Sequence, residues 1–455
     1  MSGTVHRTIR LLQRAFELLH VDMPIADIER MGFIVNSAMT VQGRVFHTPE
    51  HIFDLADPDN PYMTLAALFH DIVYHHVDDG FVPQIEEIVG PYVREKDGKI
   101  SLAKGVPADD LAFHGTRSVF GFKPGQTLSP FGGLNEFLSA LVMNSLLVKT
   151  VSHRTLLITT ACIEATIPFR GVDDAGLGPA ERLALRIKKT NKDFAMELSE
   201  LDLVEAVQWA VIFANRDVWN FAEEDVGRFL DNTWKLLPES NPDLRVTGVY
   251  TVGSYRTALQ KMEGFMRKLD PTHIFHRYQS CPSDAEYDHL LNLATRNIQV
   301  GREYLGIKLL TTTILDAMTQ ISGGDCPMAY IMGEIGADEE GTRLSDHLPP
   351  APSSKRKLDP TILQLLEHGR ASESSFDMKN SPLSLFIYKT LGHAAALRLR
   401  DESMPYLSGD EAPADYLSRF PKALVKNIAK AYGAMAFTRA DALEPLMRGA
   451  FPISA

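Results

Sequence analysis

Cysteine is scarce in this chain. Cys162, Cys281 and Cys326 are the only three in 455 residues, odd in number and far apart. That pattern excludes a disulfide framework and a zinc knuckle; it reads as free thiols in a reducing compartment, so a cytoplasmic location is expected. Long apolar runs are also missing. No stretch reaches the roughly 18 unbroken apolar residues of a membrane span, and the N-terminal Met1-Ser-Gly-Thr-Val-His-Arg has no signal-peptide core. A membrane partner is therefore not expected. Positive charge falls short of negative: 46 Lys and Arg stand against 58 Asp and Glu, a formal net charge of −12. This argues against a general nucleic-acid surface. It leaves an acidic substrate open, because a bound cation and local arginines set the charge at a site. Strict apolar–polar alternation is rare, with residues 247–252 the best short strand candidate, and no repeat has a fixed period.

What is present is helical spacing. Val5, Ile9, Leu12, Phe16 and Leu19 recur at three and four residues, as on an amphipathic helix. Similar runs cover about 64–75, 134–150, 153–167, 179–198, 202–222, 252–268, 284–321, 360–368, 382–399 and 422–436. The expected class is all-α. With 45% apolar and 23% charged residues, the chain has an ordinary globular composition and the length for two or more domains. Residues 337–359 are polar and proline-rich and read as a linker or exposed loop. The region 276–455 is expected to be helical, with no spacing that attaches to chemistry. Ser381 before Pro382 gives one of its helices an N-cap and first-turn proline, and His393 reads as a core or boundary histidine. The region could pack on the N-terminal part, cap a site or dimerise.

Chemistry-bearing residues concentrate earlier. Leu65-Ala-Ala-Leu-Phe-His70-Asp71-Ile-Val-Tyr74 places a histidine and an aspartate inside a segment otherwise apolar on every face. With 15 histidines in the chain, about one His-Asp pair arises by chance, so context must carry the reading. Burying an unpaired aspartate is costly, and a shared cation lowers the cost. Upstream, Arg44-Val-Phe-His47-Thr-Pro-Glu-His51 contains Thr48 as an N-cap, Pro49 at the first helical position and an acid in the first turn. His51 then faces inward from that turn. Far downstream, Asp217 is an isolated acid in the helical run Val211-Ile-Phe-Ala-Asn-Arg-Asp217-Val-Trp. His51, His70, Asp71 and Asp217 make two imidazoles and two carboxylates. That set suits a borderline divalent ion such as manganese, iron, cobalt, nickel or zinc, one per chain.

In order along the chain stand Arg44-Val-Phe46-His47…His51, Phe69-His70-Asp71-Ile-Val73-Tyr74, Asn135-Glu136-Phe-Leu-Ser139-Ala140 and Asp217. This succession resembles the HD metal-dependent phosphohydrolase superfamily, above all its small bacterial predicted members. The Phe-His-x-x-x-His element is similar to that of the distantly related cyclic-nucleotide phosphodiesterases. The resemblance covers roughly residues 30–270 and implies an HD-type helical bundle over 1–275. It implies metal ligation by His51, His70, Asp71 and Asp217, with His47 as the general acid. The chain departs from the family in two places. Residues 75–133 form a Gly- and Pro-rich insertion where the family passes to Asn-Glu within a few residues. The family's late Asp-Ala-Asp is here Asn215-Arg216-Asp217.

The implied activity is hydrolysis of a phosphoester or phosphoanhydride, of a nucleotide or a similar small phosphate. A divalent ion polarises a phosphoryl oxygen and acidifies bound water. Asp71 could take a proton from that water. Glu136 would be a nearby base and Asn135 would orient ligand or substrate. Arg44 and Arg170 are candidates to meet phosphate, since a guanidinium matches its geometry. Some superfamily members carry a di-iron oxygenase site, for which His75, His76, His114 and His153 are the histidines to spare. A nucleotide-sensing protein without turnover is a further alternative.

Overall fold

The computed structural model describes residues 3–246, 248–333, 342–352 and 356–451. Helix dominates, and one two-stranded hairpin is the only sheet among the described residues. The protein is all-α, as expected. No helix among the described residues is long and apolar enough to cross a membrane.

The chain divides into two compact units, Met1–Ala222 with Asp270–Ala294, and Glu223–Leu269 with Thr295–Ala455. The boundary expected at 275 falls within the returning segment Asp270–Ala294 of the first unit, and the chain crosses between the units three times, the last time within one helix, Asp284–Ile321.

The first unit contains α1 (Thr4–Leu18), α2 (Ile25–Met39), α3 (Pro49–Leu55), α4 (Pro61–Phe69), α5 (His75–Asp78), α6 (Pro83–Val89), β1 (Val93–Lys96), β2 (Lys99–Leu102), α7 (Leu111–Phe120), α8 (Leu134–Leu147), α9 (His153–Ala165), α10 (Pro179–Asp193) and α11 (Glu200–Asp217). Helix α9 is its centre. Every residue from Thr155 to Ala165 is buried, and α4, α7, α8, α10 and α11 pack around it. A helix apolar on all sides needs neighbours on all sides. Helix α4 is similar. Pro61 opens it, the Asn60 side chain accepts from the Tyr62 and Met63 N–H groups, and Met63 through Phe69 are all buried. Burying one such apolar side chain stabilises by about 1.5–3 kcal/mol.

The apolar run expected to be helical to residue 75 stops sooner. Helix α4 ends at Phe69, and His70 is its C-cap. The His-Asp pair therefore leaves the helix end instead of lying within it.

The insertion 75–133 is less loop-rich than expected. It folds into α5, α6, the hairpin and α7, and Val93, Ile100, Leu102, Phe113 and Phe120 join the core of this unit. The hairpin turn is Asp97-Gly98, both in the left-handed region (φ 53° and 68°). Two such residues make the turn whose twist matches paired strands, and Asp-Gly is its sequence signature.

The second unit contains α12 (Val226–Ser240), α13 (Val252–Lys268), most of α14 (Asp284–Ile321), α15 (Met328–Met332), α16 (Pro360–His368), α17 (Pro382–Leu391), α18 (His393–Asp401), α19 (Met404–Leu407), α20 (Pro413–Ser418), α21 (Lys422–Met435) and α22 (Ala440–Arg448). The run 382–399 is two helices, broken at Gly392 with φ 81°. Ser381 precedes Pro382 as expected but makes no side-chain cap. The Nδ1 of His393 lies 2.9 Å from the Tyr388 hydroxyl. The strand expected at 247–252 does not form. Thr247 is outside the described residues, Thr251 makes only an isolated bridge to Pro327, and Val252 starts α13. Of the expected linker 337–359, residues 337–341 and 353–355 lie outside the described residues. Leu344–His347 is a 3-10 turn with Leu344 buried.

Candidate metal centre

Three separate helix ends bring the central residues together. Thr48 precedes α3 in an extended conformation, Pro49 is its first residue and Glu50 lies in the first turn. The Thr48 side chain makes no cap hydrogen bond, so proline and acid alone set this start. His51 projects from that turn. His70 caps the C-terminus of α4, Asp71 follows it, and Asp217 is the last residue of α11. The C-terminal ends of α4 and α11 carry the negative pole of the helix dipole, which favours a cation nearby.

The Nδ1 of His70 lies 2.9 Å from the Ala67 carbonyl oxygen. A carbonyl can only accept, so the proton belongs on Nδ1, and a neutral ring then presents an Nε2 lone pair. That Nε2 is buried and makes no hydrogen bond. Yet it lies 2.9 Å from Asp71 Oδ2 and 3.4 Å from Asp217 Oδ1. The Nε2 of His51 lies 3.1 Å from Asp217 Oδ1 and 3.5 Å from Asp71 Oδ2. Each imidazole nitrogen thus sits within 3.5 Å of both carboxylates. Donor atoms each bound about 2.0–2.2 Å from one shared ion stand about 2.8–3.6 Å apart. The donor set and its spacing fit a divalent ion. His51, His70 and Asp71 form the only group of three such ligand side chains among the described residues.

The imidazoles and carboxylates are also matched in charge. Burial opposes charging of His51, but Asp217 and Asp71 outweigh it and push its pKa up to about 9. His70 is raised well above its ordinary value by the same balance. Asp217 is held down to about 2 and Asp71 well below the carboxylate range, again against burial, through the two histidines. Two largely buried carboxylates call for two positive charges. Protonating both rings would supply them, with His70 Nε2 2.9 Å from Asp71 Oδ2. One divalent ion would supply them equally and would use the Nε2 lone pairs.

The other expected residues fall into place around this group with different degrees of commitment. His47 has its ring 4.5 Å from Tyr74 and 5.8 Å from His51, and its charge acts on Asp71. Glu136, in the first turn of α8, has a buried Oε2 with no hydrogen bond. Burial first, then the charges of Asp71 and Asp217, raise it to about 8, with Arg170 opposing. Asn135 is buried, and its Oδ1 accepts from the His75 backbone N–H at 3.3 Å. Its neighbour one turn on, Ser139, accepts from the Val73 N–H at 3.0 Å. Helix α8 therefore clamps the strand of chain that follows Asp71. The Asn135 amide oxygen is thus engaged with the backbone.

Arg44 is not available to a phosphate. Its side chain is 0% exposed. Nε and Nη2 donate to both carboxylate oxygens of Asp78, at 2.8 and 2.6 Å, and Nη1 donates to the Asp71 carbonyl at 2.6 Å. It is a positioning residue that fixes the backbone of a ligand. Asp78, its partner, carries no signal in the sequence, since 34 residues separate the two. Arg170 donates to Glu164, which also pairs with Arg186. It lines a cleft with His273, His276 and Arg277. Among the described residues, none of His75, His76, His114 and His153 joins a second ligand group; His114 Nε2 lies 2.9 Å from the Pro107 carbonyl.

No protein-family model matches this chain, and neither a curated protein nor a solved structure is similar to it.

Proposed function

We propose that the first unit is a metal-dependent phosphohydrolase acting on a nucleotide or a similar small phosphate. One observation carries this reading. Four metal-ligand side chains converge from distant parts of the sequence, with a buried His70 Nε2 that has no hydrogen bond. The order of motifs shared with the HD superfamily supports the choice of chemistry. His51, His70, Asp71 and Asp217 would hold a divalent ion, which would polarise a phosphoryl oxygen and acidify bound water.

The chain's own residues do the rest. Glu136 has a proton affinity near neutrality and an unbonded buried oxygen, the properties of a general base that takes the proton of the attacking water. His47, beside His51, delivers a proton to the leaving oxygen. Arg44 holds the Asp71 carbonyl and Asn135 the His75 N–H that follows, so that Asp71 keeps its place. Arg170 supplies positive charge at one side, where an anionic substrate needs it. Free thiols at wide spacing suit a reducing compartment, so we place the protein in the cytoplasm.

The test is hydrolysis by the full chain loaded with manganese, cobalt or zinc. Substrates are p-nitrophenyl phosphate, bis-p-nitrophenyl phosphate and nucleoside mono-, di- and triphosphates. Turnover that disappears in Asp71→Ala and falls about 10²–10⁴-fold in His47→Ala, with metal retained in the latter, supports the reading. Metal-loaded protein that is inert across the panel overturns it. The di-iron oxygenase alternative lacks a second ligand set among the described residues.

A further inference from the structure

The second unit holds a cavity of about 320 Å³. Its size lies at the lower end of small-molecule sites, about 300–1,000 Å³. Helices α13, α14, α15 and α17 and the segment around Asp377 line it. One wall is soft and apolar, with Met328, Met378 and Phe376. Methionine and aromatic walls favour aromatic guests. The other wall is polar, with Tyr255, Lys308 and Ser384.

The polar wall is incomplete without a guest. Tyr255 is 5% exposed; its hydroxyl is buried beside the Asp377 carboxylate but makes no hydrogen bond of good geometry. Such a group costs about 1–3 kcal/mol if nothing meets it. Burial first, and then the charge of Asp377, raise the Tyr255 pKa well above its ordinary value, so the hydroxyl stays a neutral donor. Ser384 is 4% exposed.

The charged groups near the cavity face one another, and of the two cations only Lys308 lines it. Asp377 Oδ2 accepts from Lys308 Nζ at 2.6 Å, Trp234 Nε1 at 2.7 Å and Arg370 Nη1 at 3.2 Å. Asp231 lies 3.5 Å from Arg370 Nε. Two cations face two carboxylates. Arg370 lies outside the lining and Lys308 is held by Asp377, so an anionic guest would give up its hydration and have to draw Lys308 away from that carboxylate, which is unfavourable. A cationic guest would compete with Lys308 for Asp377.

We propose that this cavity binds an uncharged heteroaromatic molecule, of base to nucleoside size, whose carbonyl or ring-nitrogen acceptors take the Tyr255 hydroxyl. The proposal concerns the second unit alone and is independent of the hydrolytic reading of the first.

Calorimetric titration of the full chain with adenosine, nicotinamide and caffeine tests it, with the quenching of Trp234 as a second readout. At least one probe is expected to bind at one site per chain with Kd below about 1 mM. Tyr255→Phe should weaken binding about tenfold. Ala329→Phe, which fills the cavity from its lining, should abolish binding with the melting temperature retained. Asp71→Ala should leave it unchanged, and AMP should bind more weakly than adenosine. No binding by any of the three neutral probes overturns the proposal. So does binding that survives in Ala329→Phe, binding lost in Asp71→Ala, or AMP binding as tightly as adenosine. If Tyr255→Phe fails to fold, Ala329→Phe decides alone.

Discussion

The Nε2 of His51 lies 3.1 Å from the Oδ1 of Asp217, across a sequence separation of 166 residues. One comes from the first turn of α3, the other from the last turn of α11. A pair so distant in sequence and so close in space depends on the whole packing of the first unit. Asp217→Ala should therefore leave that packing intact but weaken binding of manganese or zinc at least tenfold, as measured by calorimetric titration. Unchanged affinity would remove Asp217 from the ligand set.

Arg44, fully buried, and Asp78, with a side chain 6% exposed, form a two-pronged ion pair. Arg44→Met leaves the Asp78 carboxylate buried and unpaired, which costs about 3–5 kcal/mol. Chemical denaturation should show that loss, and the double change Arg44→Met with Asp78→Leu should recover most of it. A surface role for Arg44 predicts a loss below about 1 kcal/mol and no recovery.

Glu136 gives a pH signature in metal-free protein. Its folded pKa of about 8 lies above the 4.5 of an ordinary glutamate. The folded state holds the proton more tightly than the unfolded state, so stability falls as pH rises from 4.5 toward 8. The loss is on the order of a few kcal/mol. Glu136→Gln removes the dependence. In the presence of a chelator the variant should be more stable than the parent at pH 8 and equal to it near pH 4.5. A constant difference across that range would contradict the assignment.

His276 behaves in the opposite sense. Burial, and then the charge of Arg170, lower its pKa to about 4 from 6.5. The unfolded chain then binds this proton more readily, so the folded state loses stability as pH falls from 6.5 to 4. The total is about 3 kcal/mol at most. His276→Gln should melt at a temperature less sensitive to acid over that window. An acid dependence identical to the parent's would count against it.

Much of this was legible in the sequence for physical reasons. Helical runs such as 252–268 and 360–368 read correctly to the residue, because their apolar spacing and their flanking caps or prolines agree. The His70-Asp71 pair stood out because polar residues in an all-apolar segment need a compensating partner, and the structure brings His51 and Asp217 beside it. What could not be read depends on three-dimensional packing. Nothing local in Arg44 or Asp78 announces their pairing, and Asn135 and Ser139 reveal their clamp on Val73 and His75 only once α8 is docked. The end of α4 at Phe69 was hidden because the apolar run continues past it to Val73. The Asp97-Gly98 turn, by contrast, was readable and was obscured by the surrounding glycines and prolines of the insertion.

The most direct test of the account is the metal content of the first unit's site. Chelator-stripped full chain titrated with manganese or zinc should take up one ion per chain. His70→Ala should lower the affinity about a hundredfold or more while circular dichroism stays unchanged. A folded protein that binds no ion, or that binds it equally well without the His70 imidazole, would contradict the central claim.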